Sequence, residues 1–583
     1  MKKYNPQSPM EAATELPVAP TEQQQKQQVS EEASREKGVP WVWVSGGALA
    51  TMLLIMIGLF GYLFSQGITA LWPKSIIEIP LSDGKVIEGT IHRTHIVNTD
   101  IQREDGSRYL EKTEKAIIYK GNQDFNNIDF QEINASLLAN AKPTQSWYVE
   151  RLEWGPFIGS FKEIKILENG TMKTIPVGTS DSNDALFKAV EDAQDRFDHI
   201  NDVEADEIHP LNVEIEGLRI EAKRLKRLSL TNNNPDLQKE LKEIEEKTAV
   251  LRKEYEEVSK KLMDLRALDA QQKLVIVNPA GEIKEIALSQ VVRLFQPISL
   301  GITGKVQVFL SRMVEFLFAK PREANTAGGV FPAIFGTVVM TLLMSLAVLP
   351  VGVLTAVYMR EIAKQGPIVS FVRIAVGNLA GVPSIVYGVF GLGFFCYTLG
   401  VRIDELFFFD KLPNPTFGTG GILWASLTLA LLTVPVVIVS TEEALSAVPR
   451  TLREASYGCG ATRFQTLARI VIPKATPGIM TGLVLAMARG AGEVAPLLVT
   501  GVVKLASELP LDLTYPFIHL ERSFMHLGFH IYDLGFQSRS AEASRPIVFM
   551  TTLLLIVIVL VLNFSAIKVR SVLRKKFEGR GAF

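Results

Sequence analysis

Apolar runs long enough to cross a lipid bilayer recur along this chain. A helix needs about 20 mostly apolar residues to span the hydrocarbon core. The sequence meets this requirement at about 41–64, 331–359, 371–400, 421–440, 476–500 and 546–567. The first run opens on Trp41 and Trp43, which suit a membrane interface, and a polar segment precedes it, which argues against a cleaved signal. We therefore expect an all-α polytopic membrane protein with six transmembrane helices.

Lysine and arginine are concentrated in alternate segments between these runs. Cytoplasmic segments of membrane proteins carry an excess of such residues. The basic segments precede run one, separate runs two and three, separate runs four and five, and follow run six, where a basic tail covers 571–583. The intervening loop 401–420 has only Arg402 and Lys411. This pattern predicts that both termini are cytoplasmic and that the long segment 65–325 lies outside.

The polar segments form a tail and a large insert. Residues 1–40 are rich in Gln, Glu, Ser and Pro, a composition typical of disorder. Within the insert 65–325, β-like runs with Asp-Gly and Asn-Gly turns predict a β-rich region at 75–180 and a further β-hairpin at 273–295. Apolar residues at steps of four and three predict a helical coiled-coil hairpin at 184–266. This α+β insert is either a spacer without a site or a docking arm for an external partner.

The sequence has no recognisable catalytic centre. It contains no G-x-x-x-x-G-K-[ST] phosphate loop, no H-E-x-x-H and no G-x-S-x-G motif. Two cysteines and seven scattered histidines argue against a zinc framework. A net charge of −1 gives no overall attraction to nucleic acid. We therefore expect no catalytic residue, no metal and no cofactor in this chain, so that any ATP hydrolysis would occur on a separate subunit.

The loop 441–475 is polar yet regular in pattern. Apolar residues at steps of three and four predict a short helix before Gly458 and Gly460, and a second one after them. Glycine permits a sharp turn between the two because it tolerates positive φ. Pro473 is expected to end the second helix. Such a pair of helices on the cytoplasmic face would form a rigid knob suited to a groove in a partner.

The same loop resembles the EAA signature of ABC importer permeases, which reads E-A-A, three residues, G, nine residues, I, one residue, L-P. The matching residues are Glu454, Ala455, Gly460, Ile470 and Pro473. Ser456 and Ile472 replace an alanine and a leucine of the signature. The resemblance implies the type I ABC importer permease fold for 326–570. It also implies that the loop docks onto a separate ATP-binding subunit and transmits its closure to the membrane helices.

Two ionisable residues, Arg489 and Glu493, stand in the fifth apolar run. Charges at membrane depth are costly and face a partner or a polar pathway. Their spacing of four residues places them on one helix face, where they can pair. They form either a structural ion pair or part of a translocation path for an anion, because the planar fork of arginine suits oxyanions.

Further stretches resemble one family more closely. VGNLAGVPSIVYGVFGLG, RGAGEVAPLL and FMHLGFHIYDLGFQS together resemble the A-type permeases of phosphate-specific ABC importers, the PstA family. Val494 departs from that pattern, which commonly has Thr, and the insert 65–325 has no counterpart in compact members. The resemblance implies a bacterial inner-membrane permease for inorganic phosphate. Its implied partners are a homologous C-type permease, a dimeric ATP-binding subunit that carries Mg–ATP, and a periplasmic phosphate-binding protein.

Two alternatives stay open at this level. Arg489 suits any oxyanion, so the cargo is sulfate or molybdate in the first alternative. In the second, the chain is a membrane-anchored sensor or scaffold that acts through its coiled-coil insert. The second alternative predicts that deletion of 184–266 abolishes function while substitution of Glu454 has no effect.

Overall fold

The computed structural model describes residues 22–81, 86–102, 108–126, 129–168, 171–177, 180–231, 235–506, 508–512, 517–538 and 541–578. The chain divides into two compact units, Met1–Ser65 and Gln66–Phe583. Its helices are α1 Glu22–Leu71, α2 Gln123–Asn126, α3 Ser180–Asp202, α4 His209–Thr231, α5 Pro235–Gln271, α6 Ile302–Phe318, α7 Phe331–Val357, α8 Pro367–Leu379, α9 Ser384–Phe390, α10 Val401–Phe407, α11 Ile422–Ser446, α12 Arg450–Gly458, α13 Arg463–Thr466, α14 Ile472–Gly492, α15 Leu497–Thr500, α16 Leu527–Tyr532 and α17 Ala541–Glu578.

The strands lie in the region that precedes α7. They are β1 Ile77–Pro80, β2 Val86–Gln102, β3 Arg108–Tyr119, β4 Phe130–Asn134, β5 Lys142–Pro143, β6 Trp147–Arg151, β7 Phe157–Glu168, β8 Thr171–Pro176, β9 Lys273–Val277, β10 Ile283–Ala287, β11 Val291–Phe295, β12 Pro321–Arg322 and β13 Ala327–Gly328. One sheet has the order β4-β3-β2-β1-β5, and a second has the order β10-β9-β7-β6-β11, with β8 paired to β7.

Six stretches of the described helices are long and apolar enough to cross a membrane, as predicted. Numbered spans 1 to 6, they are Trp41–Leu71, Phe331–Ile362, Ser384–Phe407, Ile422–Ser446, Arg463–Gly492 and Glu542–Val572. The chain is therefore a multi-pass membrane protein with a β-containing region between its first two spans.

Helix α1 differs from the expected disordered tail. It begins at Glu22, so residues 22–40 are helical, while residues 1–21 lie outside the described residues. The segment that begins at Glu22 is rich in Gln and Glu, which are good helix formers. Because it continues an apolar helix, it does not bear the cost of helix nucleation.

Prolines set two span boundaries differently from the prediction. Span 3 begins at Ser384 rather than near 371, because Pro383 has extended backbone (φ −55, ψ 134) and separates α8 from α9. Pro473 does not end a helix, because the helix of span 5 runs from Arg463 through a π-helical segment, Leu467–Val471, and past Pro473 into α14. Span 5 begins at Arg463 rather than near 476, and it ends at Gly492, not at 500.

The predicted hairpin at 273–295 is correct for its first two strands only. Strands β9 and β10 pair antiparallel, with Val277 opposite Ile283. Strand β11 pairs instead with β6, with Leu294 opposite Val149. A short 3₁₀ turn at Leu288–Gln290 redirects the chain between β10 and β11, and such a long-range pairing has no local signal in the sequence.

Helix α3 covers one face of the second sheet. Its buried stripe contains Leu186, Val190 and Ala193, which pack with Phe157 and Ile276 of the sheet. Full burial of such side chains contributes about 1.5–3 kcal/mol for each large one. The sheet and helix therefore form a core of their own beside the membrane spans.

Helices α4 and α5 run antiparallel. Ion pairs join Lys226 to Glu245 at 3.5 Å and Arg266 to Glu204 at 2.7 Å, so the end of one helix faces the start of the other. The first arm of the hairpin is continuous, because α3 continues through a π-helical segment, Val203–Ile208, into α4. The regular side-chain packing of a coiled coil stays a prediction.

Helix α4 also contacts two loops of the membrane core. The Arg227 guanidinium lies 3.0 Å from the Asp410 carboxylate and 4.8 Å above the centre of the Phe409 ring. His209 lies 3.7 Å from Glu508. The insert is thus tied to the loop after α10 and to the loop after α15.

Arg151 stabilises the turn that follows β6. Its guanidinium forms a bidentate pair with Asp124, with both N–O distances 3.0 Å, and both side chains are 2% exposed. It also donates hydrogen bonds to the carbonyl oxygens of Trp154 and Gly155, two residues with positive φ. Burial alone would raise the pKa of Asp124, but hydrogen bonds from Arg151 and Lys284 outweigh it, and the pKa lies below its ordinary value.

We expect Asp124→Ala to destabilise the insert by about 3–5 kcal/mol, because it leaves the Arg151 charge buried and without its carboxylate. Thermal unfolding of the full chain in detergent measures this loss. Glu207→Ala, which removes an exposed pair with Lys261, is the matched control and should change the stability by less than about 1 kcal/mol. Because the pKa of Asp124 is lowered, its contribution is present above the ordinary carboxyl pKa and is lost as pH falls below about 4; a loss on raising the pH would contradict this.

The membrane core is built around span 4. Met344 of α7, Leu429 of α11 and Leu483 of α14 belong to one buried cluster. A Cβ on Gly482 would lie 2.5 Å from the Ser440 side chain, so glycine permits the close approach of spans 4 and 5. This packing fixes the direction of span 5, which carries both parts of the site described next.

Candidate functional site

The loop between spans 4 and 5 forms two short helices joined by a glycine turn. Helix α12 ends at Gly458, and Gly460 turns the chain with a φ of +81°, a conformation that favours glycine. Helix α13 starts at a capping box, in which Thr462 Oγ1 accepts a hydrogen bond from the Gln465 amide and Gln465 Oε1 accepts one from the Thr462 amide. The loop is therefore an ordered knob, defined here as residues 447–466.

The knob is fixed to the ends of spans 2 and 4. Arg453 donates hydrogen bonds to Glu361 Oε1 at 2.8 Å and to the Leu445 carbonyl oxygen at 2.9 Å. The hydroxyls of Ser456 and Thr466 lie 2.8 Å apart and join α12 to α13. Beneath them is a buried apolar cluster of Val357, Leu445, Val448, Val471, Ala475 and Ile479. A force applied to the knob is thus carried directly to spans 2, 4 and 5.

The opposite side of the knob is exposed. The predicted signature residues Glu454, Ala455 and Gly460 lie on this side, whereas Ile470 and Pro473 are half-buried in the helix that continues into span 5. Phe464 is 77% exposed and Tyr457 is 46% exposed. Large exposed apolar side chains on a rigid, polar loop are typical of a protein–protein contact.

Arg489 and Glu493 lie at the far end of span 5 from the knob. Arg489 Nε is 3.6 Å from Glu493 Oε1, so the predicted pairing is present, although α14 ends at Gly492 and Glu493 already has extended backbone. Their side chains are 35% and 22% exposed. Within the part of the chain that the structure describes, the Arg489 guanidinium donates no hydrogen bond, so its planar fork is available to another group.

A second charged pair in the membrane core was missed by sequence reasoning. Arg373 of α8 donates hydrogen bonds from Nε at 3.3 Å and from Nη2 at 3.1 Å to the two carboxylate oxygens of Glu442 in span 4. The two residues are far apart in sequence. Each is a charged residue at the edge of an apolar run, and this is the sequence signal that could have revealed the pair. The pair connects α8 to the helix that leads into the knob.

We expect Arg373→Met to destabilise the chain by about 2 kcal/mol, because it leaves the Glu442 carboxylate, 14% exposed, without its partner at membrane depth. This is less than the loss for a fully buried pair, since Arg373 is partly exposed. The double variant Arg373→Met with Glu442→Met should recover most of the stability. Thermal unfolding in detergent of Arg373→Met, of Glu442→Met and of the double variant measures the coupling, and additive losses would contradict it.

The membrane core matches known proteins in sequence. The sequence pattern of the family described as "Binding-protein-dependent transport system inner membrane component" matches residues 348–575. The chain is 42% identical over 173 residues to the phosphate transport system permease protein PstA of Mycobacterium leprae, covering 30% of this chain and 51% of that protein. It is 34% identical over 255 residues to the probable ABC transporter permease protein YqgH of Bacillus subtilis, covering 42% and 76%.

A third relative covers a similar share of the chain. The phosphate transport system permease protein PstA 1 of Mycobacterium tuberculosis (strain CDC 1551 / Oshkosh) is 34% identical over 250 residues, covering 43% of this chain and 73% of that protein. The chain thus spans about half the length of the Mycobacterium leprae relative and about three quarters of the other two. The family pattern begins within span 2, so it says nothing of the insert.

The six spans and the matched core define a multi-pass membrane permease of the ABC importer class. Within that class, the chain belongs to the PstA family of permeases.

Proposed function

We propose that this chain is the A-type permease subunit of an ABC importer that moves inorganic phosphate into a bacterial cytoplasm. The observation that carries the proposal is Arg489, a charged side chain in a membrane span whose planar fork makes no hydrogen bond within the described residues. Arginine binds phosphate oxygens in a bidentate manner. The similarity to phosphate transport system permease proteins supports phosphate as the cargo.

Glu493 gives the path a way to release its anion. At 3.6 Å from Arg489, the carboxylate competes with phosphate for the same guanidinium. An arginine without a competing carboxylate would hold a divalent anion tightly, and transport requires that binding be weak enough to reverse. The pair therefore supports a site that exchanges phosphate for Glu493 as the transporter changes state.

The knob is the contact for a separate ATP-binding subunit. Span 5 runs as one helix from Arg463 in the knob to Gly492, so a displacement of the knob reaches Arg489 through a rigid element. The length from Ile472 to Arg489 is roughly 26 Å at about 1.5 Å per residue. Arg453 and Glu361 pass the same displacement to span 2. Closure of the ATP-binding subunits would therefore reorient the spans that line the path.

The partners and orientation follow from the same assignment. One permease offers half of a path, so a homologous C-type permease completes it. A dimeric ATP-binding subunit, which carries the Mg–ATP, docks on the two knobs, and a periplasmic phosphate-binding protein delivers the cargo. The chain itself supplies no catalytic residue. Both termini and the knob are cytoplasmic, and the insert is periplasmic, in agreement with the distribution of basic residues.

Uptake by the assembled transporter in proteoliposomes tests the cargo. We expect accumulation of labelled phosphate that depends on internal ATP and that an excess of unlabelled phosphate abolishes. An equal excess of sulfate or molybdate should leave uptake nearly unchanged. Competition by sulfate or molybdate as strong as that by phosphate would instead support a permease for another oxyanion, and ATP-independent accumulation would contradict the ABC assignment.

A further inference from the structure

Helix α6 joins the insert to span 2 and has an apolar face that no described residue covers. We call this face the apolar stripe. Its members recur every four residues and are between 39% and 80% exposed: Ile302, Val306, Leu310, Val314 and Phe318. At about 100° per residue the stripe covers one side of the helix, which it shares with the uncharged Thr303 and Gln307, and the charged residues Lys305, Arg312 and Glu315 project from the other side.

The charged side of α6 is already occupied by the insert. Arg312 forms an ion pair with Glu150 of β6 at 2.5 Å. Glu315 pairs with Arg293 of β11 at 3.1 Å and also with Arg322. These contacts fix the rotation of the helix about its axis, so the apolar stripe cannot turn toward the protein.

The position of α6 relative to the spans is fixed as well. Arg312 Nη1 donates a hydrogen bond of 3.0 Å to the carbonyl oxygen of Leu71, the last residue of span 1. Phe316 packs in one cluster with Ala333, near the start of span 2, and with Met550, near the start of span 6. The helix therefore lies where three spans begin or end, which is the level of a membrane surface.

Two further observations identify what covers the apolar stripe. Trp72, 38% exposed, lies beside α6 with its ring centroid 6.0 Å from that of Phe309, and tryptophan is enriched at membrane–water interfaces. The stripe itself carries no charged residue, and burial of each large aliphatic side chain in an apolar medium contributes about 1.5–3 kcal/mol. An apolar face of this kind at span level suits lipid chains and disfavours water.

We propose that α6 is an interfacial helix whose apolar stripe lies among the acyl chains of the leaflet on the insert side. Amphipathic helices of this type lie in the interface plane, with the apolar face buried about 5–10 Å below the headgroups. The helix thereby anchors the base of the insert to the bilayer as well as to the spans. The inference concerns the lipid contact of this helix and is independent of the cargo.

Collision rates of a nitroxide label test the proposal in the assembled transporter in lipid nanodiscs. The label is attached in turn to Leu310→Cys and Val314→Cys, with Cys459→Ser removing the exposed native cysteine. A label on Glu246→Cys, an exposed position of α5, is the water-facing control. We expect labels at 310 and 314 to collide several times more often with oxygen, which concentrates in acyl chains, than with a water-soluble nickel chelate, and the control to show the reverse order.

Either of two other results would overturn the proposal. Faster collisions with the nickel chelate at 310 and 314 would mean that the apolar stripe faces water. Slow collisions with both reagents would mean that another protein chain covers it. Agreement between the two positions guards against a local distortion caused by one substitution.

Discussion

Arg489→Ala is expected to abolish phosphate uptake by the assembled transporter while the chain remains folded and inserted. Two charge-assisted hydrogen bonds from the guanidinium to phosphate are worth about 1.5–3 kcal/mol each, so their loss corresponds to a fall in uptake of roughly 100-fold or more. Initial rates of labelled phosphate uptake in proteoliposomes measure the effect. The variant should still assemble with its ATP-binding subunit, because the substitution leaves the knob unchanged.

Arg489→Lys and Arg402→Ala are the matched variants. Lysine keeps the charge but loses the planar fork, so uptake should fall to an intermediate rate. Arg402 is exposed in α10 and pairs only with the nearby Glu405 among the described residues, so its removal should leave uptake unchanged. If Arg489→Ala transports phosphate at the normal rate, the anion path does not run past span 5, and the pair with Glu493 is structural.

Phe464→Ala should separate the permease from its ATP-binding subunit. The side chain is 77% exposed on the knob, and an aromatic anchor at the centre of an interface typically contributes 2 kcal/mol or more, or roughly 30-fold in affinity. We expect the ATP-binding subunit to be lost during copurification, and phosphate uptake to fall by a similar factor. The intrinsic ATP hydrolysis of the free ATP-binding subunit is unaffected, because the change is in another chain.

Phe407→Ala is a closely matched control for the knob. Phe407 is also 77% exposed but ends α10, at the other end of the membrane core from the knob. Its removal should leave the retention of the ATP-binding subunit unchanged. Normal retention by the Phe464→Ala permease, or equal losses for the two phenylalanines, would mean that the knob is not the docking surface. The sensor or scaffold alternative predicts the first of these results.

The number of spans could be predicted because hydrocarbon thickness dictates a minimum apolar length that is visible in the sequence. The span boundaries were harder to predict, since Pro383 separates two helices whereas Pro473 lies within the continuous helix of span 5, and local sequence does not distinguish these cases. The pair Arg373–Glu442 and the pairing of β11 with β6 were missed because both depend on residues brought together only by the folded chain.

The parts of the candidate site that lie within one short stretch of sequence could be predicted from the sequence. The knob has its turn, caps and exposed residues within one short stretch, so its form of two short helices joined by a glycine turn could be predicted from spacing, whereas the docking role of Glu454 and Gly460 stays a prediction. Arg489 and Glu493 were found because charges are conspicuous in an apolar run. The spacing could not predict how the knob is connected to the Arg489–Glu493 pair. That connection depends on the contact between Arg453 and Glu361 and on the uninterrupted helix of span 5.

Through its contacts with the membrane core, α4 links two loops of that core to each other. Arg227 holds the loop before span 4 at 3.0 Å, and His209 lies 3.7 Å from Glu508 in the loop after span 5. A change of a few ångströms in the separation of these loops would exceed the reach of such short contacts. The hairpin must then either release one loop or swing with it, and a movement of α4 would reach α5 through the ion pairs between the two arms; α5 is a rod of roughly 55 Å at about 1.5 Å per residue.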